Sequence, residues 1–443
     1  MRIQLSDHFT YKRLLQFVIS PILMMICTSL YGIVDGVFVS NYVGKTPFAA
    51  VNLILPVCMA LGTMGTMIGT GGSAIVSQVL GEGKKEEADK YFSLLVYFSI
   101  ILSVVLSVIG FISARSIAVA LDAKGELLKN CVVYSRILFI SLPAFILQNV
   151  FQSFFVTAEK PALSLKISIL AGVTNIALDY LFIAVFHWGL AGAAIATGIG
   201  QVVGGFVPLF YFARKNGSLL QLTKTKFNGK VLLKTFGNGS SEMVTNLSTS
   251  VVNILYNIQL IKLAGENGIA AYGIIMYVNF IFMAVYFGYS IGSAPIIGYH
   301  YGAANYNELK NLFRKSIFLM GGAGVVLTVL AEILTVPLVT IFASYDAKLF
   351  AMTVRGFRLY SLAFTVMGIN VWGSSFFTAL GNGVISAAIS FLRTLVFQIA
   401  VVLILPIFLG IDGIWLAIVA AELLALIFTI IFFITKRKKY HYT

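Results

Sequence analysis

Residues 14–34 read LLQFVISPILMMICTSLYGIV, twenty-one consecutive positions without a charge, and Asp35 closes the run. A bilayer core asks for about 20 apolar residues per helix, so the stretch reads as a membrane span. It follows Lys12 and Arg13 and has the look of a secretory signal. It contains Pro21, however, and shows no small-residue cleavage site, which makes it the first of several spans. The remainder of the chain repeats the pattern. Of 443 residues, 59% are hydrophobic and only 11% charged, with a mean hydropathy of +0.93, against about 25% charge in soluble domains. Twelve spans need roughly 240 to 300 residues and leave about a dozen per connection. No separate soluble domain fits, and no Gly-x-x-x-x-Gly-Lys-Ser/Thr run exists to cradle ATP. An ATP-driven pump and a cytosolic enzyme are thereby set aside.

The spans fall near 14–40, 47–80, 91–114, 131–157, 163–186 and 190–213, then near 236–262, 268–300, 312–337, 349–379, 384–409 and 412–435. The expected architecture is all-α and polytopic: a six-helix bundle over 1–213, a basic connection over 214–235 and a second bundle over 236–443. The net charge of +14 is no sign of nucleic acid, because the basic residues sit between spans. The termini and even-numbered connections hold twenty-one of them and the odd-numbered connections six. That bias places both termini in the cytoplasm of a cell membrane, prokaryotic inner or plasma. Cys27, Cys58 and Cys131 lie in or beside apolar runs and read as free thiols. Neither they nor His8, His187, His300 and His441 offer a metal-ligand spacing. No cofactor and no enzymatic activity are expected.

An internal repeat runs through the chain. Gly72-Ser73-Ala74 returns at Gly292-Ser293-Ala294, Gly81 at Gly302, Ser153-Phe154-Phe155 at Ser375-Phe376-Phe377, and Gly189-Leu190-Ala191-Gly192 at Gly410-Ile411-Asp412-Gly413. The offsets are 220 to 222 residues. Six spans per unit is even, so the units are parallel repeats about an axis along the membrane normal. That plan belongs to alternating-access carriers with a path between two bundles.

Acids within spans are costly and mark function by default. Asp35 is nine residues before the outer turn at Gly44, Asp179 nine before Trp188, and Thr197 nine after it. At 1.5 Å per residue each lies roughly 13 Å below the outer surface, near the midplane of a core about 30 Å thick. Asn175 shares a helix face with Asp179. The four side chains can meet at one level and bind Na⁺, or share and exchange a proton. Backbone carbonyls near Pro21, or water, would complete a Na⁺ shell. Tyr31, Glu242 and Arg393 are accessory candidates, and Pro21 a hinge. Glu242 stands about six residues into its span, where an interfacial role serves equally well. Glu332 and Glu422 sit toward span ends, Arg393 snorkels or faces a cavity, and His300 reads as interfacial. The repeat offset carries Asp179 onto Ala400 or Val401, so the acid pair occurs once.

Pro21, the Tyr31-Gly-Ile-Val-Asp35-Gly-Val-Phe-Val-Ser40 stretch, and Gly69-Thr-Gly-Gly-Ser-Ala74 through Gly81-Glu-Gly83 together resemble the MATE family of multidrug and toxic compound extrusion transporters. Asn175-x-x-x-Asp179, followed by Gly189-Leu-Ala-Gly192-Ala-Ala and Thr197, extends the resemblance over essentially the whole chain. It implies a monomeric antiporter in which Asp35, Asn175, Asp179 and Thr197 bind Na⁺ or H⁺ and couple its inward movement to export of small organic cations or drugs. Membrane lipid is the other expected partner. Some members also carry an Asp on the tenth span, whereas 359–392 here contains no acid. A lipid-linked saccharide flippase would line its cavity with basic residues, for which Arg136, Arg355, Arg358 and Arg393 are the candidates within spans. A major-facilitator carrier shares the 6+6 plan but not the polar loop, since Gly81-Glu-Gly-Lys-Lys-Glu-Glu stands in its place. A drug path lined by Met and aromatic side chains, which repack around varied apolar cations, is expected.

Overall fold

The structure is a computed structural model and describes residues 3–344 and 346–443, which are helical apart from short connections. The first six helices are α1 (Tyr11–Phe38), α2 (Lys45–Gly81), α3 (Lys85–Ala120), α4 (Gly125–Thr157), α5 (Pro161–Asp179) and α6 (Gly189–Ala213). The long element Gly229–Gly302 breaks at Gly265, whose φ of 62° and ψ of −151° no helix accommodates, so it comprises α7 (229–264) and α8 (266–302). After α9 (Tyr306–Ala343), Ala347–Ser361 and Phe364–Ala379 meet at 51° and form one bent span, α10. Finally come α11 (Gly383–Leu409) and α12 (Ile411–Tyr440). With the break and the bend counted so, the described residues give the twelve spans that the sequence implies.

The apolar runs form helices because hydrocarbon offers the backbone no other partner. Their outer faces remain uncovered: Ile112, Phe318, Ile341 and Ile407 are 70–76% exposed, as lipid-facing residues are. The chain is therefore a multi-pass membrane protein. The connection between bundles is shorter than charge alone implies. Asn228 accepts hydrogen bonds from the Lys230 and Val231 amides and starts α7 at Gly229, so 229–235 are already helical.

The bundles share more than a connection. Leu5, Phe9, Leu14, Phe17 and Val18 join the apolar core of the second bundle, and Val231 and Leu232 join that of the first. Each bundle thus receives the opening turns of the other's first helix. The bundles interlock at the end that carries both termini. A Cβ on Gly81 would strike the Tyr299 carbonyl, and one on Gly302 the Gln78 carbonyl. The repeated glycines are needed at the same crossing. Gln78 donates to the Ala379 carbonyl at 2.7 Å and Asn238 to the Thr378 carbonyl at 2.8 Å. The Leu5 amide donates to Glu159 at 2.8 Å and the Phe9 amide to Glu308 at 2.9 Å, which straps the N-terminal segment across both halves.

Candidate functional site

Among the described residues, cavities lie inside each bundle and between the two. The first-bundle cavity, of about 110 Å³, is enclosed by α1, α2, α4, α5 and α6 and lined by Tyr31, Asp35, Gln148, Asn175, Thr197 and Gln201 among others. Asp179 is completely buried and Asn175 3% exposed. Asn175 Nδ2 donates to Asp179 Oδ2 at 3.2 Å, one helical turn away. The Asp35 carboxyl lies close to the Asp179 carboxyl and to Thr197, which lines the same cavity. Tyr31 and Gln148 line the same cavity. The four residues expected at one level are therefore together.

Local backbone geometry serves this meeting. Asp179 ends the regular part of α5 and is followed by a π-helical turn, Tyr180–Val185. A second such turn, Val39–Val43, begins four residues after Asp35. π-turns insert a residue into a helix, re-aim the side chains beside them and gather at functional sites. The inner oxygens Asp35 Oδ1 and Asp179 Oδ1 are buried, and neither accepts a hydrogen bond from any described residue. A buried carboxylate oxygen left so is expensive unless a proton or a cation meets it.

Pro21 takes no part in this cavity. It lies fourteen residues before Asp35, about 21 Å along the helix, and its carbonyl faces Gly288. The expectation that carbonyls near Pro21 complete an ion shell is corrected by that distance. Oxygen atoms closer at hand belong to Gln148 and Gln201, which sequence reasoning passed over because single amides in apolar spans carry no motif.

The central cavity, of about 250 Å³, takes its walls from both bundles. Thr28, Thr66, Asn149, Asn246, Ser290 and Ser375 typify its lining, while Met25 is its one methionine and Phe287 its one aromatic. The expectation of a Met- and aromatic-lined path is thus not met in this cavity. Small hydroxyl residues recur at the repeat positions because they let the bundles approach closely. The aromatic rings pack instead within bundles, as Phe92, Phe151, Phe154 and Phe212 do. Glu242 lines the central cavity beside Arg393. It is not interfacial, because α7 begins earlier than the hydropathy suggests.

The second-bundle cavity, of about 120 Å³, holds Tyr256, Tyr272, Tyr360, Arg393, Gln398 and Glu422. Glu422 is 2% exposed and Arg393 6%. Arg393 Nη1 donates to Glu422 Oε1 at 3.3 Å, Asn370 Nδ2 to Glu422 Oε2 at 2.8 Å, and Thr429 to Asn370 Oδ1 at 3.0 Å. The placing of Glu422 toward a span end is corrected, since it stands well inside α12. Arg393 does not snorkel; it separates this cavity from the central one and lines both. The other span arginines are engaged elsewhere. Arg355 binds Asp412, Arg358 binds Glu332, and Arg136 lies over the Phe111 ring. His300 stands in the last turn of α8, 2% exposed and packed against Phe9 and Tyr299.

Known proteins share this architecture. The sequence pattern of the MatE family matches residues 21–181 and 242–404. The Multidrug export protein MepA of Staphylococcus saprophyticus is 24% identical over 418 residues, 94% of this chain and 92% of its own. That of Staphylococcus haemolyticus is 28% identical over 306 residues, 69% of this chain and 67% of its own. Among solved structures, a MATE crystallised in complex with MaL6 superposes with a TM-score of 0.93 at 22% identity over 98% of both chains. An outward-facing multidrug resistance MATE family transporter of the MOP superfamily gives the same values.

Proposed function

Since the chain belongs to the MatE family, a family of transporters and not of enzymes, we propose that it is a monomeric, cation-coupled antiporter that exports small organic cations. Its membrane is the cell membrane, and the bias of basic residues supports both termini being cytoplasmic. The drug class follows from the relatives' names, Multidrug export protein MepA, and the acidic Glu242 in the central cavity favours positive charge. The observation that carries the ion reading is the pair of inner carboxylate oxygens, Asp35 Oδ1 and Asp179 Oδ1, buried without a hydrogen bond. A proton or Na⁺ from outside meets them and removes the cost of two close charges. Each charge moved inward gains about 2.3 kcal/mol per 100 mV.

Coupling needs an element that both ligands bias. Helix α1 is such an element: Met25 and Thr28 line the central cavity, and Tyr31 and Asp35, one and two turns on, line the ion cavity. In α4, Gln148 and Asn149 are neighbours that face the two cavities separately. A cation that draws Asp35 toward Asp179 therefore moves the wall of the substrate path. With the termini in the cytoplasm, the interlocked terminal end supports reading this as the outward-facing arm of the cycle. Purified protein in liposomes loaded with ethidium tests the reading, with Na⁺ and pH gradients imposed separately. At least one gradient should drive dye movement, and Asp35→Asn or Asp179→Asn should end it. Dye movement that ignores both gradients would leave export without ion coupling.

A further inference from the structure

The cavities within the two bundles are one design used twice. The first is built by α1, α2, α4, α5 and α6, the second by α7, α8, α10, α11 and α12, the corresponding helices of the repeat. The correspondence holds residue by residue at offsets of 221 and 222. Asp35 falls on Tyr256, Thr197 on Ile418, Gln201 on Glu422 and Ala171 on Arg393, and each of these residues lines its cavity. What differs is where the charge resides. In the first bundle the acids come from α1 and α5 and face no fixed cation among the described residues. In the second the acid comes from α12, and α11 supplies the positive charge at 3.3 Å. Arg393 also sits inside a π-turn, Leu392–Val396, the same device that adjoins Asp35 and Asp179.

We propose that the Arg393 guanidinium is a tethered cation, filling in the second bundle the place that an exchangeable ion takes in the first, so that Glu422 is masked and only the first bundle carries coupling ions. The comparison rests on the ion reading of the first bundle; the masking of Glu422 does not. A guanidinium bonded to a carboxylate in a dry site satisfies it permanently, whereas Asp35 and Asp179 depend on a cation from solution. Other groups facing Glu422 are the hydroxyls of Tyr256 on α7, Tyr286 on α8 and Tyr360 on α10, with Glu242 beyond Arg393. None of these supplies a second positive charge. Without Arg393, Glu422 must take up a proton or an alkali cation.

The experiment counts monovalent cations per purified full-length chain at pH 8, as bound ²²Na⁺ and as protonated-carboxyl infrared absorption. Glu422→Gln should leave the count of the parent unchanged, because Glu422 holds no exchangeable cation. Arg393→Met should add about one cation per chain, seen in either readout. The gain should persist when Asp179→Asn is added and vanish when Glu422→Gln is added. Arg393→Lys, which keeps the charge, should add none. A well-folded Arg393→Met with no gain, or a gain that survives Glu422→Gln, overturns the proposal. Should Arg393→Met fail to fold, a parent count lowered by Glu422→Gln overturns it, and an unchanged count sustains it. A count insensitive to Asp179→Asn but also to Glu422→Gln would sink the first-bundle ion reading and leave this one standing.

Discussion

Asp35 and Asp179 share the first-bundle cavity with no fixed countercharge among the described side chains that line it, whereas Glu422 in the second-bundle cavity is held against Arg393. The scaffold around each is five helices, and those of one bundle correspond in order to those of the other. One cavity therefore leaves two buried carboxylate oxygens without a hydrogen bond, while the other bonds both oxygens of its carboxylate. On the proposed reading the contrast divides labour between the two repeats. In the proposed cycle the half with unpartnered carboxylate oxygens is the one an ion moves, and the half with a built-in ion pair is the body it moves against.

Substitutions can break that contrast from either side. The largest effect belongs to Asp179→Asn, which keeps the volume but can neither take up a proton nor offer charge to a cation. Gradient-driven ethidium efflux from liposomes should fall to the protein-free rate, with size-exclusion profile and helicity unchanged. Loss of folding instead would make the residue structural. Next is Arg393→Leu, which leaves Glu422 buried beside no cation and should cost about 3–5 kcal/mol, read as a lower unfolding temperature in detergent. Adding Glu422→Leu should recover most of it, since an apolar pair avoids the stranded charge. A single variant as stable as the parent would show that the pair contributes nothing.

Gly81→Val tests the body rather than the site. Its side chain would meet the Tyr299 carbonyl, so the terminal-end interlock should open and efflux drop several-fold, while the number of ions bound per chain stays unchanged. The mildest change is Asn175→Ala. It removes one oxygen beside Asp179 and the 3.2 Å hydrogen bond, and should raise the half-saturating Na⁺ concentration several-fold while pH-driven efflux continues. Unaltered Na⁺ dependence would make the cavity a proton site.

The sequence discloses much of this and misses the rest for physical reasons. Span count, the repeat and the meeting of Asp35, Asn175, Asp179 and Thr197 follow from hydropathy, offset and depth, because a helix in hydrocarbon has a fixed rise and nowhere else to put a carboxylate. The break at Gly265 and the bend in α10 leave the span count intact, since both fall between or within apolar runs. Glu422 was not legible as a site residue. Its partner Arg393 is twenty-nine positions away on another helix, and distance from the nearest turn says nothing about which face a side chain takes. A signal did exist: the repeat offset carries Gln201 to Glu422 and Ala171 to Arg393, neutral residues in one half exchanged for an opposite pair in the other. The composition of the central cavity was also hidden. Abundant Phe and Met in a membrane chain are shared among lipid, core and path, and composition does not apportion them.

The central claim is that an ion in the first bundle and a substrate between the bundles bias one shared wall in opposite directions. Linkage makes that claim measurable at equilibrium. Ethidium binding to the purified protein should be titrated by fluorescence with and without saturating Na⁺, and at pH 8 and pH 6, in the parent and in Asp179→Asn. The account predicts that Na⁺ or acid weakens ethidium binding several-fold in the parent and that Asp179→Asn abolishes this dependence. An ethidium affinity equally sensitive to ions in both proteins, or insensitive in both, would contradict it.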